Sequence, residues 1–162
     1  MHEKSIALLN QALNEELAAV HQYMYFHFRL DDIGYGQLAN LLKQTAVGEM
    51  MHAEDLAERI LFLGGEVEME VAHPVEKIHD PRAMLEKAKQ MEADAVKMYN
   101  RSARECSEAE DSGSKKIFED LVADEEGHYD QFDQQVDFID RFGEKYLALH
   151  SFGGGSTDDA GE

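Results

Sequence analysis

The pattern Glu-x-x-His occurs twice, as Glu49-Met50-Met51-His52 and as Glu125-Glu126-Gly127-His128. Each copy is preceded at the same distance by another glutamate: Glu16 lies 33 residues before Glu49, and Glu92 lies 33 before Glu125. On an α-helix, residues three apart sit one turn apart on the same face, so each pair can address one object. The chain is therefore two like halves, each giving one lone glutamate and one Glu-x-x-His. A single such motif arises easily by chance; two at matched spacing ask for a common cause. Four facing helices bearing this set are a way of holding two metal ions between carboxylates and imidazoles.

Four ionised carboxylates inside a protein repel one another and are costly to desolvate without cations among them. Two divalent ions bring four positive charges to four negative ones, and neutral imidazoles complete the set. Oxygen and nitrogen donors without a thiolate favour iron or manganese over a zinc–thiolate site. Two ions about 3.5–4 Å apart suit a two-electron step on oxygen or peroxide. By position, Glu49 and Glu125 are expected to bridge the two metals, Glu16 and Glu92 to cap one each, and His52 and His128 to bind one each. Tyr23 follows Glu16 by seven residues, as Tyr99 follows Glu92. Such a phenol hydrogen-bonds a ligand, or yields an electron, or simply packs with its hydroxyl satisfied. His2, His21, His27, His73, His79 and His150 have no comparable setting.

In chain order, Ile6, Leu9, Leu13, Leu17, Val20, Met24 and Phe28 recur at helical period, predicting a first helix over 5–30 with this stripe buried and Glu16 and Tyr23 on its flank. The stretch 31–36, with two glycines, breaks it. A second helix over 37–63 places Leu38, Leu42, Thr45, Glu49, His52, Leu56 and Leu63 on one face, until Gly64-Gly65 ends it. Fully extended, the segment 64–80 could reach about 56–61 Å at ~3.3–3.6 Å per residue, more than the roughly 40 Å length of such a helix. The segment can therefore run the length of a bundle and start the third helix at the far end. Asp80-Pro81 reads as an N-cap followed by proline at the first helical position. The third helix carries Leu85, Ala88, Glu92, Ala95, Tyr99 and Ala103 on one face and stops near Asp111–Ser114. The fourth carries Phe118, Leu121, Glu125, His128, Phe132, Ile139 and Phe142. Gly143 interrupts it, and 146–149 is expected to form a short fifth helix. The fold class is all-α, a four-helix bundle with one long crossover. Residues 1–150 form one domain, and 151–162 a disordered, glycine-rich acidic tail.

Formal charge sets the range of partners. With 34 acids against 15 bases, a net −19, the chain is a poor match for nucleic acid, while cations are drawn to its concave surfaces. No apolar run approaches the roughly 20 residues of a membrane span, and the first residues show no signal-peptide core. Cys106 is the only cysteine, so no intrachain disulfide forms, which fits a reducing cytoplasm.

The blocks Asn14–Tyr23, Gly48–Glu54 and Asp124–His128 resemble the clearest motifs of the bacterioferritins, and the similarity extends over roughly residues 3–149. The resemblance implies a ferritin-like fold, a cytoplasmic location and Fe(II) oxidation by O2 or H2O2 at a di-iron centre. It also implies storage of ferric mineral inside a hollow homo-oligomer of 24 subunits built from dimers, with a ferredoxin-type reductant for release. In that family a methionine just after the second-helix glutamate binds haem b shared between two subunits; the matching residue is Met50, with Met51 beside it. Some relatives carry a further iron site on the inner wall, where this chain has Gln44, Thr45 and Gly48, which cannot replace it. The alternative on the same fold is a non-storage di-iron or di-manganese enzyme, a rubrerythrin-like peroxidase or a catalase. The first of these usually carries a Cys-x-x-Cys domain that is absent from this sequence.

Overall fold

The computed structural model describes residues 2–152. Four long helices, α1 (Glu3–Asp32), α2 (Gly36–Phe62), α3 (Pro81–Glu108) and α4 (Ser112–Phe142), are followed by a short α5 (Glu144–Phe152). Two antiparallel hairpins, α1–α2 and α3–α4, pack face to face, and α5 lies against α2 and α4. Of the tail expected at 151–162, Ser151 and Phe152 instead close α5, and 153–162 lie outside the described residues.

Three helix ends share one geometry. After α1, Gly34 adopts φ +92°, the Gly34 N–H donates to the Asp31 carbonyl and the Tyr35 N–H to that of Leu30. Gly64 (φ +78°) closes α2 in the same way, through Leu61 and Ile60. At the end of α3 this place is taken by Glu110 (φ +58°), with Ser107 and Cys106 as acceptors. The left-handed residue satisfies carbonyls that a helix terminus would otherwise leave unpaired. The first helix thus runs to Asp32, two residues past its expected end. The start signals are side chains: Asp80 accepts from the Ala83 N–H at 2.8 Å, with Pro81 next to it. Asp111 accepts from the Ser114 N–H at 3.0 Å. Ser112-Gly113-Ser114 therefore opens α4 rather than ending α3.

The crossover is strapped along α1 by three amide side chains. Asn10 Nδ2 donates to the Glu66 carbonyl while its Oδ1 accepts from the Glu68 N–H. Asn14 Oδ1 accepts from Glu70 N–H, and Gln22 exchanges both bonds with the backbone of Glu76. Contacts that rise together along both segments mean the connection runs parallel to α1. It delivers Asp80 to the end opposite the one where α2 finished, as the one-crossover topology requires.

The buried face of α1 differs from expectation. Glu16 and Tyr23 sit in its centre, in line with Leu9, Leu13, Phe26 and Leu30, while Phe28 is 61% exposed and Leu17, Val20 and Met24 are only half-buried. From Leu9 to Leu30 the buried residues return every ~3.5 positions, the repeat of helices packed side by side with a left-handed twist. The apolar stripe from Ile6 to Phe28 returns every ~3.7 and drifts round the helix. At the end of α4, Phe142 is likewise exposed, and Val136 takes a core place.

The interior is two apolar plugs with a polar layer between. One contains Tyr23, Phe26, Leu42, Leu85 and Phe132, the other Leu9, Leu13, Leu56, Tyr99 and Phe118.

Candidate metal centre

Each helix contributes to the polar layer: Glu16 from α1, Glu49 and His52 from α2, Glu92 from α3, and Glu125 and His128 from α4. All but His128 are buried, and His128 is half-buried. Both imidazoles turn Nδ1 inward. His52 Nδ1 lies 2.9 Å from Glu49 Oε2, 2.9 Å from Glu125 Oε1 and 3.7 Å from Glu16 Oε2. His128 Nδ1 lies 3.2 Å from Glu49 Oε1, 3.4 Å from Glu125 Oε2 and 3.7 Å from Glu92 Oε1. Glu49 and Glu125 therefore turn one oxygen toward each histidine, whereas Glu16 belongs to one half and Glu92 to the other. Two donor groups result, Glu16–Glu49–His52–Glu125 and Glu49–Glu92–Glu125–His128, each with its ligand atoms within 4.8 Å of one another.

Burial and mutual proximity set the electrostatics of the four carboxylates. Burial, then the charges of Glu16 and Glu92, pushes the Glu49 carboxyl well above the usual range. Burial, then the bond to Glu125, pushes Glu92 up to about 7. Burial opposes charge on the imidazoles, but hydrogen bonds outweigh it, from Glu125, Glu16 and Glu49 at His52 and from Glu125, Glu49 and Glu92 at His128. His128 reaches about 12, and His52 is raised in the same direction. The buried Glu92 Oε2 has no hydrogen-bond partner, as expected of an oxygen free to take a metal. Metal binding at such a site displaces protons.

Two phenols back the outer carboxylates. The Tyr23 hydroxyl donates to Glu92 Oε1 at 2.6 Å, and the Tyr99 hydroxyl donates to Glu16. Burial, then neighbouring glutamate charge, keeps both phenols protonated and so able to donate. A cavity of about 470 Å³ enters between α1 and α3 beside His73 and Pro74 and reaches Glu16, Glu49, Glu92 and Glu125.

Met50 and Met51 are 53% and 57% exposed on α2, away from this cluster. Of the residues in place of an inner-wall site, Gln44 is exposed, the Thr45 hydroxyl donates to the Leu41 carbonyl, and Gly48 faces His128. One polar contact was invisible to sequence reasoning: the exposed Asp124 places Oδ2 3.0 Å from His52 Nε2. Its only signal is its place before Glu125, matching that of Gly48 before Glu49.

The ferritin-like domain family matches residues 6–142. The chain is 40% identical to the bacterioferritin of Rhodobacter capsulatus over 90% of its own length and 91% of that protein's. It is 38% identical to that of Brucella melitensis, with 88% of each covered. Among solved structures, the bacterioferritin of Desulfovibrio desulfuricans, described with its diiron site in different catalytic states, superposes with a TM-score of 0.93 at 34% identity, covering 98% of this chain and 93% of that one. A bundle with this crossover and this donor set, matched along nearly its whole length, belongs to the ferritin-like family and within it to the bacterioferritins.

Proposed function

We propose that this protein is a ferroxidase and iron store, oxidising Fe(II) on the six donors Glu16, Glu49, His52, Glu92, Glu125 and His128 and keeping ferric mineral inside a hollow assembly of copies of itself. The observation that carries the reading is that Glu49 and Glu125 each turn one oxygen toward His52 and one toward His128. Two Fe(II) held side by side give up two electrons together. With two protons these reduce O2 to hydrogen peroxide, or hydrogen peroxide to water, leaving two Fe(III). Four carboxylates offset the charge of the incoming pair, in a layer set between two apolar plugs. Tyr23 and Tyr99 hold Glu92 and Glu16 in orientation through their hydroxyls. The acidic lining of the cavity under the crossover favours cation entry.

The wider reading rests on family membership: 24 subunits built from dimers, and a ferredoxin-type donor to return Fe(III) to Fe(II) for release. Haem b is assigned to Met50 and its counterpart on a second subunit. The residues fit such a group, since Met50 offers a thioether on an open helix face, clear of the centre. When bound, the haem supplies a one-electron relay.

The deciding experiment is iron retained per subunit. Metal-free protein receives excess Fe(II) in air, and the iron co-eluting on a sizing column is counted. Storage predicts far more than two atoms per chain on a particle much larger than a dimer. A plateau near two on a small oligomer identifies a non-storage di-iron enzyme instead.

A further inference from the structure

The two halves of the centre differ at one pair of matched positions. Asp124 directly precedes Glu125, as Gly48 directly precedes Glu49. Each faces the histidine carried by the opposite helix: Asp124 on α4 meets His52 of α2, and Gly48 on α2 meets His128 of α4. At the first contact a carboxylate oxygen lies 3.0 Å from Nε2. At the second there is no side chain; a Cβ on Gly48 would lie 3.6 Å from His128 Cε1 and Nε2. His128 Nε2 has no hydrogen-bond partner among the described residues, and the His128 side chain is 18% exposed against 8% for His52.

Resting on the di-metal reading above, we propose that Asp124 is a positioning residue that fixes His52 and makes the two metal positions unequal. The position on Glu16, Glu49, His52 and Glu125 then binds its ion more tightly than the position on Glu92 and His128. With Nε2–H donated to Asp124, the proton is held on the outer nitrogen and the Nδ1 lone pair is aimed at the metal. A carboxylate behind an imidazole also raises its basicity as a ligand. His128 has only the gap at Gly48 behind it, so its ring is fixed from the inner side alone.

The test reads metal binding rather than turnover. Co(II) is titrated into the metal-free full-length protein without oxygen, and its visible absorption is followed. Wild type is expected to bind two Co(II) per chain in two separable steps. Asp124→Ala should weaken the tighter step about tenfold, the low end for an outer partner because Asp124 is water-exposed, and leave the weaker step in place. Asp124→Asn, whose amide oxygen still accepts from Nε2–H, should recover part of that loss. Gly48→Asp, whose Cβ meets His128 only at ordinary contact distance, should tighten the weaker step. Two Co(II) bound by wild type, with Asp124→Ala changing neither step or weakening both alike, overturns the assignment while leaving the centre intact. Failure of Gly48→Asp to tighten the weaker step also counts against it. Wild type that binds fewer than two Co(II) overturns the centre itself.

Discussion

Glu49 is the residue whose loss both halves feel, because each of its oxygens serves a different histidine. Glu49→Ala is expected to slow Fe(II) oxidation by more than the ~10–100-fold typical of losing an outer partner. His128→Ala should do the same by removing a nitrogen donor. Stopped-flow oxidation rates beside far-UV circular dichroism check this: wild-type rates in either variant would remove that residue from the site. Asp111 makes a different kind of contribution, to stability. Burial opposes its charge, but the Ser114 hydroxyl and N–H and then the Arg59 guanidinium, 2.6 Å away, hold its carboxyl well below the usual range. A carboxylate with a depressed folded pKa stabilises the fold at every pH above its unfolded value near ~3.9. It loses that contribution as pH falls through the folded value. Asp111→Asn keeps an oxygen for the helix cap but no charge for Arg59. It should cost about 1–3 kcal/mol at pH 7, and the gap in urea midpoint between variant and wild type should close as the pH is lowered below ~3. Acid effects on the metal centre are common to both proteins and cancel in that difference. A gap of constant size would show that the ion pair contributes nothing.

Among the elements, the end of α3 departs from the pattern of its neighbours. Gly34 and Gly64 take the left-handed position after α1 and α2, but Glu110 takes it after α3, at φ +58° with an exposed side chain. A side chain there costs about 1–2 kcal/mol, partly offset by the extra freedom glycine has in the unfolded chain. Glu110→Gly should therefore raise stability by about 0.5–1 kcal/mol, read as a higher midpoint in urea; a lower midpoint would mean the glutamate makes a contact that offsets its strain. The same residue shows why some boundaries were hidden. Gly64-Gly65 announces the end of α2 in sequence, whereas nothing in Glu110 announces a left-handed turn, and Ser112–Ser114 looks like a loop until Asp111 is seen capping α4. The six clustered residues were legible because each Glu-x-x-His lies within one helix and the same spacing recurs in both halves. The α1 face was misread because its centre is polar: Glu16 breaks the apolar pattern that periodicity follows, and Phe28 extends a stripe that drifts off the seam. Asn10, Asn14 and Gln22 gave no signal because their partners are backbone atoms of a distant loop. Asp124 was hidden for a similar reason, since its partner His52 stands on another helix.

At the scale of the whole molecule, all six residues of the centre stand in one chain, whereas the proposed haem and the proposed storage would need more than one copy. Met50 follows Glu49 by one position, about 100° round the helix, so the residue beside a ligand of the buried centre faces outward, 53% exposed. A haem held by two such thioethers is possible only where two α2 helices face each other, which ties haem content to pairing of subunits. Met50→Leu separates the two properties. Leucine keeps the volume and apolar character that a subunit contact would use, a swap that usually costs less than ~1.5 kcal/mol, but it has no sulfur to bind iron. The expected result is a particle of wild-type size on a sizing column with its haem absorption band lost. Fe(II) oxidation should persist, because Met50 lies outside the cluster of donors. Haem retained by the variant would make Met50 the wrong ligand and turn attention to Met51. Haem lost together with the large particle would mean that Met50 holds the subunits together, and that its sulfur is not what matters.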